Sequence, residues 1–414
     1  MKKVETLSLV SLGCAKNAVD LQWRVGGLLK RGCRLSPDPD RADTVIVNTC
    51  AFIASARAEA EAEIRRALAL KARGQFHRVV VTGCYPQRYP DAAAAFPGVD
   101  EWVGVPKTWV EPPIPALRLT GPAFAYLKIA EGCAHRCAYC AIPLIRGAYR
   151  SRPMASILRE ARALVKSGCR ELNIVAQDPM LWREKAKGKK MKTLPDLLRA
   201  IDRIEGDFWV RVLYSYPSEI TEDFLIWMMT SPHAVRYLDV PLQHTVPAIL
   251  AKMNRAGAVD ASLAVADAVR SLMPDITLRT TILVGFPGET EGRFKTLLAD
   301  LKRMQFDHLG AFAYSPEEGT SGAKMTGRPA RRIAAQREKE VMNLAKKIWE
   351  AKAKRLVGQT RKALVIAPRV ARLESQAPDV DGVTFLAADA EVGSFVSVRL
   401  VSRRGFDFLG EVVP

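Results

Sequence analysis

Ile129-Ala-Glu-Gly-Cys-Ala-His-Arg-Cys-Ala-Tyr-Cys140 brings three cysteines, Cys133, Cys137 and Cys140, within eight residues of one another. The spacing is C-x-x-x-C-x-x-C. An apolar run, Phe124 to Ile129, leads into it, and Pro143 closes it. Three thiolates on one tight loop can hold three corners of a cubane iron–sulfur cluster and leave the fourth iron without a protein ligand. Cysteine thiolates are the usual holders of such clusters. Soft sulfur ligands prefer iron–sulfur, zinc or copper(I) over hard ions. Zinc ribbons normally add a second ligand pair nearby. Here His135 sits inside the loop, but no fourth partner follows at ribbon spacing. A redox C-x-x-C pair would need no third cysteine.

With the aromatic Tyr139 just before the last cysteine, this spacing resembles the radical S-adenosylmethionine (SAM) superfamily. The resemblance implies that SAM chelates the open iron through its amino and carboxylate groups. Its reductive cleavage would then release a 5′-deoxyadenosyl radical.

Outward from the loop, residues 123–350 show six β-like runs: Phe124–Ile129, Glu171–Ala176, Phe208–Leu213, Tyr237–Val240, Thr277–Val284 and His308–Tyr314. Helical stretches separate them, among them Ser156–Ser167, Leu194–Ile204, Asp260–Met273 and Thr290–Met304. The alternation predicts a partial (β/α) barrel with its chemistry at the C-terminal ends of the strands. The cysteine loop follows the first strand. Gln177 and Asp178 follow the second, Gln243 and His244 the fourth. Gly285-Phe-Pro-Gly288 follows the fifth, where glycine lets a ligand approach the backbone. Tyr139, Gln177 and Gly285 are the expected SAM contacts, although each also suits a structural turn. His244 fits a proton-transfer role or a hydrogen-bonded structural one. His77, His233 and His308 are read as structural. Arg183 to Lys192, with six basic residues in ten, is expected to be an exposed, mobile loop at the rim. It could grip rRNA or another polyanion, or only be solvated. Arg328 to Lys354 reads as a charged amphipathic helix on the barrel exterior.

Residues 1–115 read as an N-terminal α/β domain. Leu7–Leu12, Thr44–Val47 and Arg78–Val81 are strand-like, and Cys14, Cys50 and Cys84 each stand just past one of them. An alanine-rich helix, about Ser55 to Arg73, bridges the last two strands, with Ser55 as expected cap and glutamates in its first turns. Alternating β and α elements give parallel strands. Ligands collect at the carboxyl edge of such a sheet. The three cysteines should therefore converge as a second cluster site with one free iron. The alternative is three buried small residues, since free cysteine is often buried. Cys33 and Cys169 lack this setting and are read as structural.

Ser11-Leu-Gly-Cys-Ala-Lys-Asn-Ala-Val-Asp20, Val47-Asn-Thr-Cys-Ala-Phe-Ile53, Val81-Thr-Gly-Cys84 and Glu131 to Cys140 resemble the signatures of the methylthiotransferases. The resemblance spans essentially the whole chain. It departs at Ala15, where the family often has proline, near Gln22, where an acidic residue is common, and at Pro179. It implies two 4Fe-4S clusters and SAM as cofactors, and an electron donor such as flavodoxin or ferredoxin. Ser11 to Asp20, Tyr237 to His244, Leu278 to Thr290 and Ala377-Pro-Asp-Val-Asp-Gly382 are similar to the RimO branch. That branch modifies an aspartate β-carbon of ribosomal protein S-twelve. The other branch modifies a tRNA adenosine beside the anticodon.

Residues 111–122 hold Pro112, Pro113, Pro115 and Pro122 and read as a linker. Residues 355–414 show short turn-bounded strands, Val357–Val365, Gly382–Leu386, Phe395–Val401 and Gly410–Val413, which predict a small all-β barrel. It resembles the TRAM domain, which binds RNA in tRNA-modifying relatives. Ten basic against seven acidic residues over 352–414 give a modest positive bias.

The whole chain of 414 residues carries a formal charge of +18. This favours anionic partners, RNA or the ribosome first, or else reflects an arginine-rich surface. No apolar stretch reaches the roughly 20 residues of a spanning helix, and the N-terminus lacks a signal-peptide pattern. A cytoplasmic location with reduced thiols is expected, so eight cysteines point to metal or redox work. The expected reaction is radical methylthiolation, on the small ribosomal subunit in the RimO reading or on tRNA in the other. A non-catalytic iron–sulfur RNA-binding or electron-transfer protein is the third reading. It has no need of an aromatic-flanked SAM loop inside a barrel.

Overall fold

In the computed structural model, residues 4–414 are described except 39, 107, 110, 113–116, 187, 189, 190, 256 and 258, and the side chains of 259–263. Val45, Ile46 and Val47 are buried in succession, as a parallel strand covered on both faces requires. They lie in β3 (Ala42–Thr49), the centre of a five-stranded sheet. The others are β1 (Thr6–Ser11), β2 (Arg34–Leu35), β4 (Phe76–Gly83) and β5 (Glu101–Val103), in the order β2-β1-β3-β4-β5. All pairings are parallel. Helices α1 (Ala15–Lys30) and α2 (Ala54–Ala72) connect them, and α3 (Cys84–Arg88) follows β4.

Two expectations for α2 are corrected. Ser55 lies inside the helix, the N-cap is Ile53 without a side-chain bond, and no acid stands in the first turn. The free N–H of Ala54 instead donates to Glu317 Oε1 at 2.9 Å. Glu317 follows the last barrel strand, so the helix end is satisfied from another part of the chain.

The second unit has the six predicted strands: β6 (Phe124–Lys128), β9 (Glu171–Val175), β12 (Trp209–Val212), β13 (Tyr237–Asp239), β14 (Thr277–Val284) and β15 (His308–Ala313). Two parallel triplets, β12-β9-β6 and β13-β14-β15, meet through a bridge between Val210 and Ala234. The crossover helices are α5 (Met154–Lys166), α6 (Leu194–Ile201), α7 (Glu222–Thr230), α9 (Val259–Leu272) and α10 (Glu291–Met304). One apolar core lies between helices and strands, including Leu127, Ile174, Leu197, Ile282 and Leu297. Short helices α4 (Ile142–Arg146) and α8 (Pro247–Lys252) and a small ribbon, β7 (Ala130–Glu131) with β8 (Arg150–Ser151), decorate the C-terminal ends of the strands.

The basic loop differs from the expectation at its ends. Strands β10 (Arg183–Lys185) and β11 (Met191–Thr193) pair as an antiparallel ribbon, and Lys192 Nζ lies 3.5 Å from Met154 Sδ. Lys187, Lys189 and Lys190 fall outside the described residues. In the proline-rich linker, Pro113 and Pro115 fall outside them too. Its end is packed rather than loose: Leu117 and Leu119 join the apolar layer of the first sheet, and Leu119 N donates to Gln22 Oε1 at 2.8 Å.

Helix α11 (Arg331–Leu356) starts just past Pro329. Its first half packs Val341 and Ala345 into the barrel core, and its second half packs Trp349 and Ala353 into the C-terminal core. It therefore belongs to both. The tail is a closed barrel in the order β16-β17-β18-β20-β19, with ranges Thr360–Ala367, Val370–Leu373, Thr384–Leu386, Phe395–Arg404 and Asp407–Val413. The strand expected from Val357 begins at Thr360 because α11 runs to Leu356, and Val370–Leu373 is a strand the pattern did not predict.

This small barrel closes the lower end of the large one. Arg372 and Arg211 both pair with Glu171, the first residue of β9. Tyr237, the first of β13, donates to Asp381 at 2.7 Å, and His308, the first of β15, lies 2.6 Å from the Ser375 carbonyl. The cysteine loop lies at the opposite, C-terminal ends of the strands. Among the described residues no helix is long and apolar enough to cross a membrane.

Candidate functional site

The loop after β6 is held on both sides. Cys133 N donates to Gly147 O at 3.2 Å, Ala138 N to Met253 O at 2.9 Å, and Cys140 N to Cys137 O at 3.0 Å. Cys140 Sγ accepts the Ile142 N–H at 3.5 Å, and Arg255 Nη1 lies 3.7 Å from Cys137 Sγ. Burial raises the Cys133 thiol to about 11 and the Cys140 thiol to about 12, with the Cys137 thiol adding to both by like charge. His135, inside the loop, stacks on Tyr216 at 3.8 Å and puts Nε2 2.7 Å from Asp178 Oδ2. That hydrogen bond and stack account for it without a metal.

Cys14, Cys50 and Cys84 come together at the carboxyl edge of the first sheet. Cys14 caps α1, Cys50 comes directly after β3, and Cys84 begins α3. A Cβ on Gly13 would lie 3.0 Å from Cys50 Cβ. The chain past β4 turns at Gly83, whose φ of +100° is open to glycine and whose added Cβ would strike Thr49 O at 2.7 Å. Burial raises the Cys84 thiol to about 12, and the charges of both Cys14 and Cys50 push the same way against Arg146. Cys50 is raised by burial and by Cys14. Cys14 alone is lowered: desolvation of its sulfur pushes it up, although the residue as a whole is exposed, but Lys16, Arg146 and the Asn17 and Lys16 N–H groups outweigh that.

All eight cysteines are free thiols. Among the described residues no three His, Cys, Asp or Glu side chains stand close enough to share one ion. Three thiols are the donor chemistry that iron–sulfur clusters take, and each trio supplies it. Cys33 bonds Glu5 and Cys169 bonds the Glu171 carbonyl, away from both trios.

The two trios are neighbours. Cys84 packs on Ala141 and Ile145, immediately after Cys140. Arg146 Nη2 lies 3.2 Å from Cys84 Sγ and 3.1 Å from Asn17 Oδ1, while Nη1 pairs with Asp20 and lies 3.1 Å from Glu131 Oε2. Lys128 joins the same two carboxylates, at 2.8 Å from Glu131. Glu131, burial notwithstanding, is held down at about 2 by Lys128 and Arg146. Its other oxygen accepts Gln177 Nε2 at 3.1 Å. Gln177 Oε1 is buried and without a partner among the described residues, which leaves an acceptor for a ligand amine or hydroxyl.

Tyr139 packs among Ala138, Leu250, Phe286 and Tyr314 beside the loop. Gly285 has φ +77°, and a Cβ there would meet Ala334 Cβ of α11 at 2.5 Å. Its N–H already donates to Glu289 at 3.1 Å. Packing thus explains this glycine. His244 is fully buried, and its Nδ1 accepts the Val246 N–H at 3.0 Å. Asp20, Lys128, Arg146 and Arg255 were not legible as site residues. Asp20 ends the Cys14 motif and Arg146 lies just past the Cys140 motif, but only the fold shows that they meet.

Comparison with known proteins matches residues 6–104 to an uncharacterized protein family, UPF0004, residues 127–301 to the radical SAM superfamily and residues 357–413 to the TRAM domain. The ribosomal protein uS12 methylthiotransferase RimO of Elusimicrobium minutum is 37% identical over 98% of this chain and 99% of its own. That of Moorella thermoacetica is 39% identical over 98% and 99%. Among solved structures, the radical SAM methyltransferase TsrM of Kitasatospora setae, with cobalamin and a 4Fe-4S cluster bound, covers 78% of each chain at 18% identity and a TM-score of 0.51. That likeness speaks to the fold alone. With relatives this similar from end to end, the chain belongs to the RimO family of ribosomal protein uS12 methylthiotransferases.

Proposed function

We propose that this protein inserts a methylthio group at the β-carbon of an aspartate in ribosomal protein uS12. The observation that carries the reading is the adjacency of the two cysteine trios through Cys84, Arg146 and Glu131, in a chain that matches RimO relatives over its length. Such a C–H bond has no proton acidic enough for a base, so a radical is needed. When bound, a barrel 4Fe-4S cluster with SAM supplies that radical, and a second 4Fe-4S cluster supplies a bare iron for external sulfur.

Each group of side chains has its own part in this reading. Cys133, Cys137 and Cys140 hold the first cluster, and Cys14, Cys50 and Cys84 the second. Gln177, with its free Oε1, and Tyr139 border SAM, and Gly285 shapes the turn nearby. The buried Lys128–Asp20–Arg146–Glu131 group fixes the first sheet against the barrel and so keeps the two trios side by side. The chain divides as 1–115, 123–350 and 355–414. The closed tail presents Phe385 and Phe406 with Arg403 and Arg404 on its surface, a suitable RNA contact beside the ribosomal target. The setting is cytoplasmic, where a flavodoxin or ferredoxin supplies electrons.

Mass spectrometry of uS12 and of bulk tRNA from a deletion strain tests this. A methylthio mass should vanish from uS12 and return with the wild-type gene. Loss from tRNA with uS12 unchanged would overturn the substrate in favour of the adenosine-modifying branch. Absence of 5′-deoxyadenosine from reconstituted enzyme given SAM and reductant would leave only the non-catalytic reading.

A further inference from the structure

Arg146 is the last residue of α4, six positions past Cys140, yet its guanidinium reaches a sulfur of the other trio. Nη2 donates to Cys84 Sγ at 3.2 Å and to Asn17 Oδ1 at 3.1 Å. The side chain is 2% exposed, so its charge acts in a medium with little water to screen it. Asp20 and Glu131 share that charge with Lys128, which makes two cations against two carboxylates. A thiolate at Cys84 is thus the fifth charge of the group, with Arg146 as its only cationic hydrogen-bond donor among the described residues. Asn17 in turn is clamped by Leu12 O at 2.9 Å and Thr49 O at 3.1 Å, in the segments that carry Cys14 and Cys50.

We propose that Arg146 is a positioning residue for the N-terminal cluster: it orients the Cys84 ligand and raises the cluster's reduction potential. This rests on the reading of Cys14, Cys50 and Cys84 as a second cluster site. The physical ground is that hydrogen bonds to cluster sulfurs and nearby charge set such potentials. A donor and a positive charge at a ligand sulfur favour the form with one more electron. Outer partners that orient a ligand also tune its metal. Because Arg146 rises from the helix after the barrel's own cysteine loop, the barrel contributes a tuning group to a cluster whose ligands all come from the first sheet.

The test uses the full chain with Cys133, Cys137 and Cys140 replaced by serine, so that only the N-terminal trio can hold a cluster. Iron and sulfide are measured after anaerobic reconstitution, and the midpoint potential is followed by electron paramagnetic resonance. Arg146→Met should retain the iron, shift the potential to more negative values and alter the g-values. Arg146→Lys, which keeps the charge but not the fork, should fall between. If Arg146→Met fails to fold, Arg146→Gln, which keeps an N–H donor but removes the charge, should still shift the potential to more negative values. Equal iron with an unchanged potential in Arg146→Met, or in Arg146→Gln, overturns the proposal. If the protein with Arg146 intact takes up no iron at this trio, the second-cluster reading itself is wrong and the inference goes with it.

Discussion

Glu317 and Arg88 form a buried ion pair, 3.0 Å apart, between the loop after the last barrel strand and the helix that begins with Cys84. The same carboxylate caps α2 through the Ala54 N–H at 2.9 Å, and Arg88 also donates to Ala51 O at 2.7 Å. One glutamate of the barrel therefore braces the chain after Cys50 and the helix after Cys84. The Arg88 and Glu317 side chains are only 5% and 4% exposed. Breaking such a pair from one side costs about 3–5 kcal/mol, because the remaining charge stays buried. Glu317→Ala should lower the unfolding free energy by roughly 3 kcal/mol or more by that reasoning, read from the urea midpoint. A loss under about 0.5 kcal/mol, the usual range of a surface change, would show that the pair does not join the two units.

Glu171 sits fully buried between Arg211, at 2.9 Å, and Arg372 of the small barrel. Glu171→Gln leaves two buried guanidinium groups without a carboxylate. The C-terminal barrel should loosen, and limited proteolysis should release a fragment near residue 355. Replacing Arg372 instead leaves the Glu171–Arg211 pair intact and should cost less. Equal resistance to protease in wild type and Glu171→Gln would refute the docking role.

The thiols of the metal-free chain should differ in reactivity. Cys14 is lowered and exposed, whereas burial holds Cys84 and Cys140 at about 12. The thiolate is the reactive form. At pH 8, iodoacetamide should label Cys14 first and Cys84 and Cys140 last, as peptide mass mapping would show. The raised groups also fix the sign of the pH effect on stability. Above the ordinary thiol value of 9.0 the unfolded chain loses these protons while the folded chain keeps them. Their contribution is therefore complete below pH 9 and is lost as pH rises toward 12. Apo-protein that grows more stable between pH 9 and pH 11 would contradict it.

Gln177 Oε1 is unpartnered among the described residues while its amide nitrogen is fixed on Glu131, so it is free to contact SAM in the proposed reading. Gln177→Leu should weaken SAM binding about tenfold, the equivalent of about 1.4 kcal/mol, with little loss of iron. Equilibrium dialysis with the reconstituted enzyme reads this directly. Unchanged affinity would remove Gln177 from the SAM site.

Gly285→Ala separates packing from ligand contact at the turn after β14. The added Cβ meets Ala334 at 2.5 Å in a backbone with φ +77°. Strain of this kind costs about 1–3 kcal/mol, so the melting temperature should fall. SAM affinity of the folded variant should stay near wild type. A large affinity loss with unchanged melting would put the ligand, not α11, against this glycine.

The alternation of the first sheet was readable because its strands are apolar and parallel, and parallel strands deliver their next residues to one edge. Cys14, Cys50 and Cys84 came from that rule. The six barrel strands were readable for the same reason. Val370–Leu373 was not, because a four-residue strand has too short a period to stand out. Ser55 looked like a cap by composition, yet the helix begins one residue earlier and takes its acceptor from Glu317, 263 residues away in sequence. The basic run from Arg183 to Lys192 read as an exposed loop that could grip a polyanion or only be solvated, but its described ends pair as a ribbon.

Local spacing by itself determined the two cysteine trios, the order of sheet, large barrel and small barrel, and the edge at which chemistry can occur. These depend on periods of two to four residues and on the residues a strand's end presents. Only the tertiary structure decided that Arg146 faces Cys84 rather than its own loop and that the small barrel plugs the lower end of the large one. It also decided that Gly285 yields to α11. Those outcomes depend on which buried charges and bare backbone groups find partners. Such partners come from whichever distant segment packing brings within about 3 Å, the reach of a hydrogen bond, and no local pattern encodes that choice.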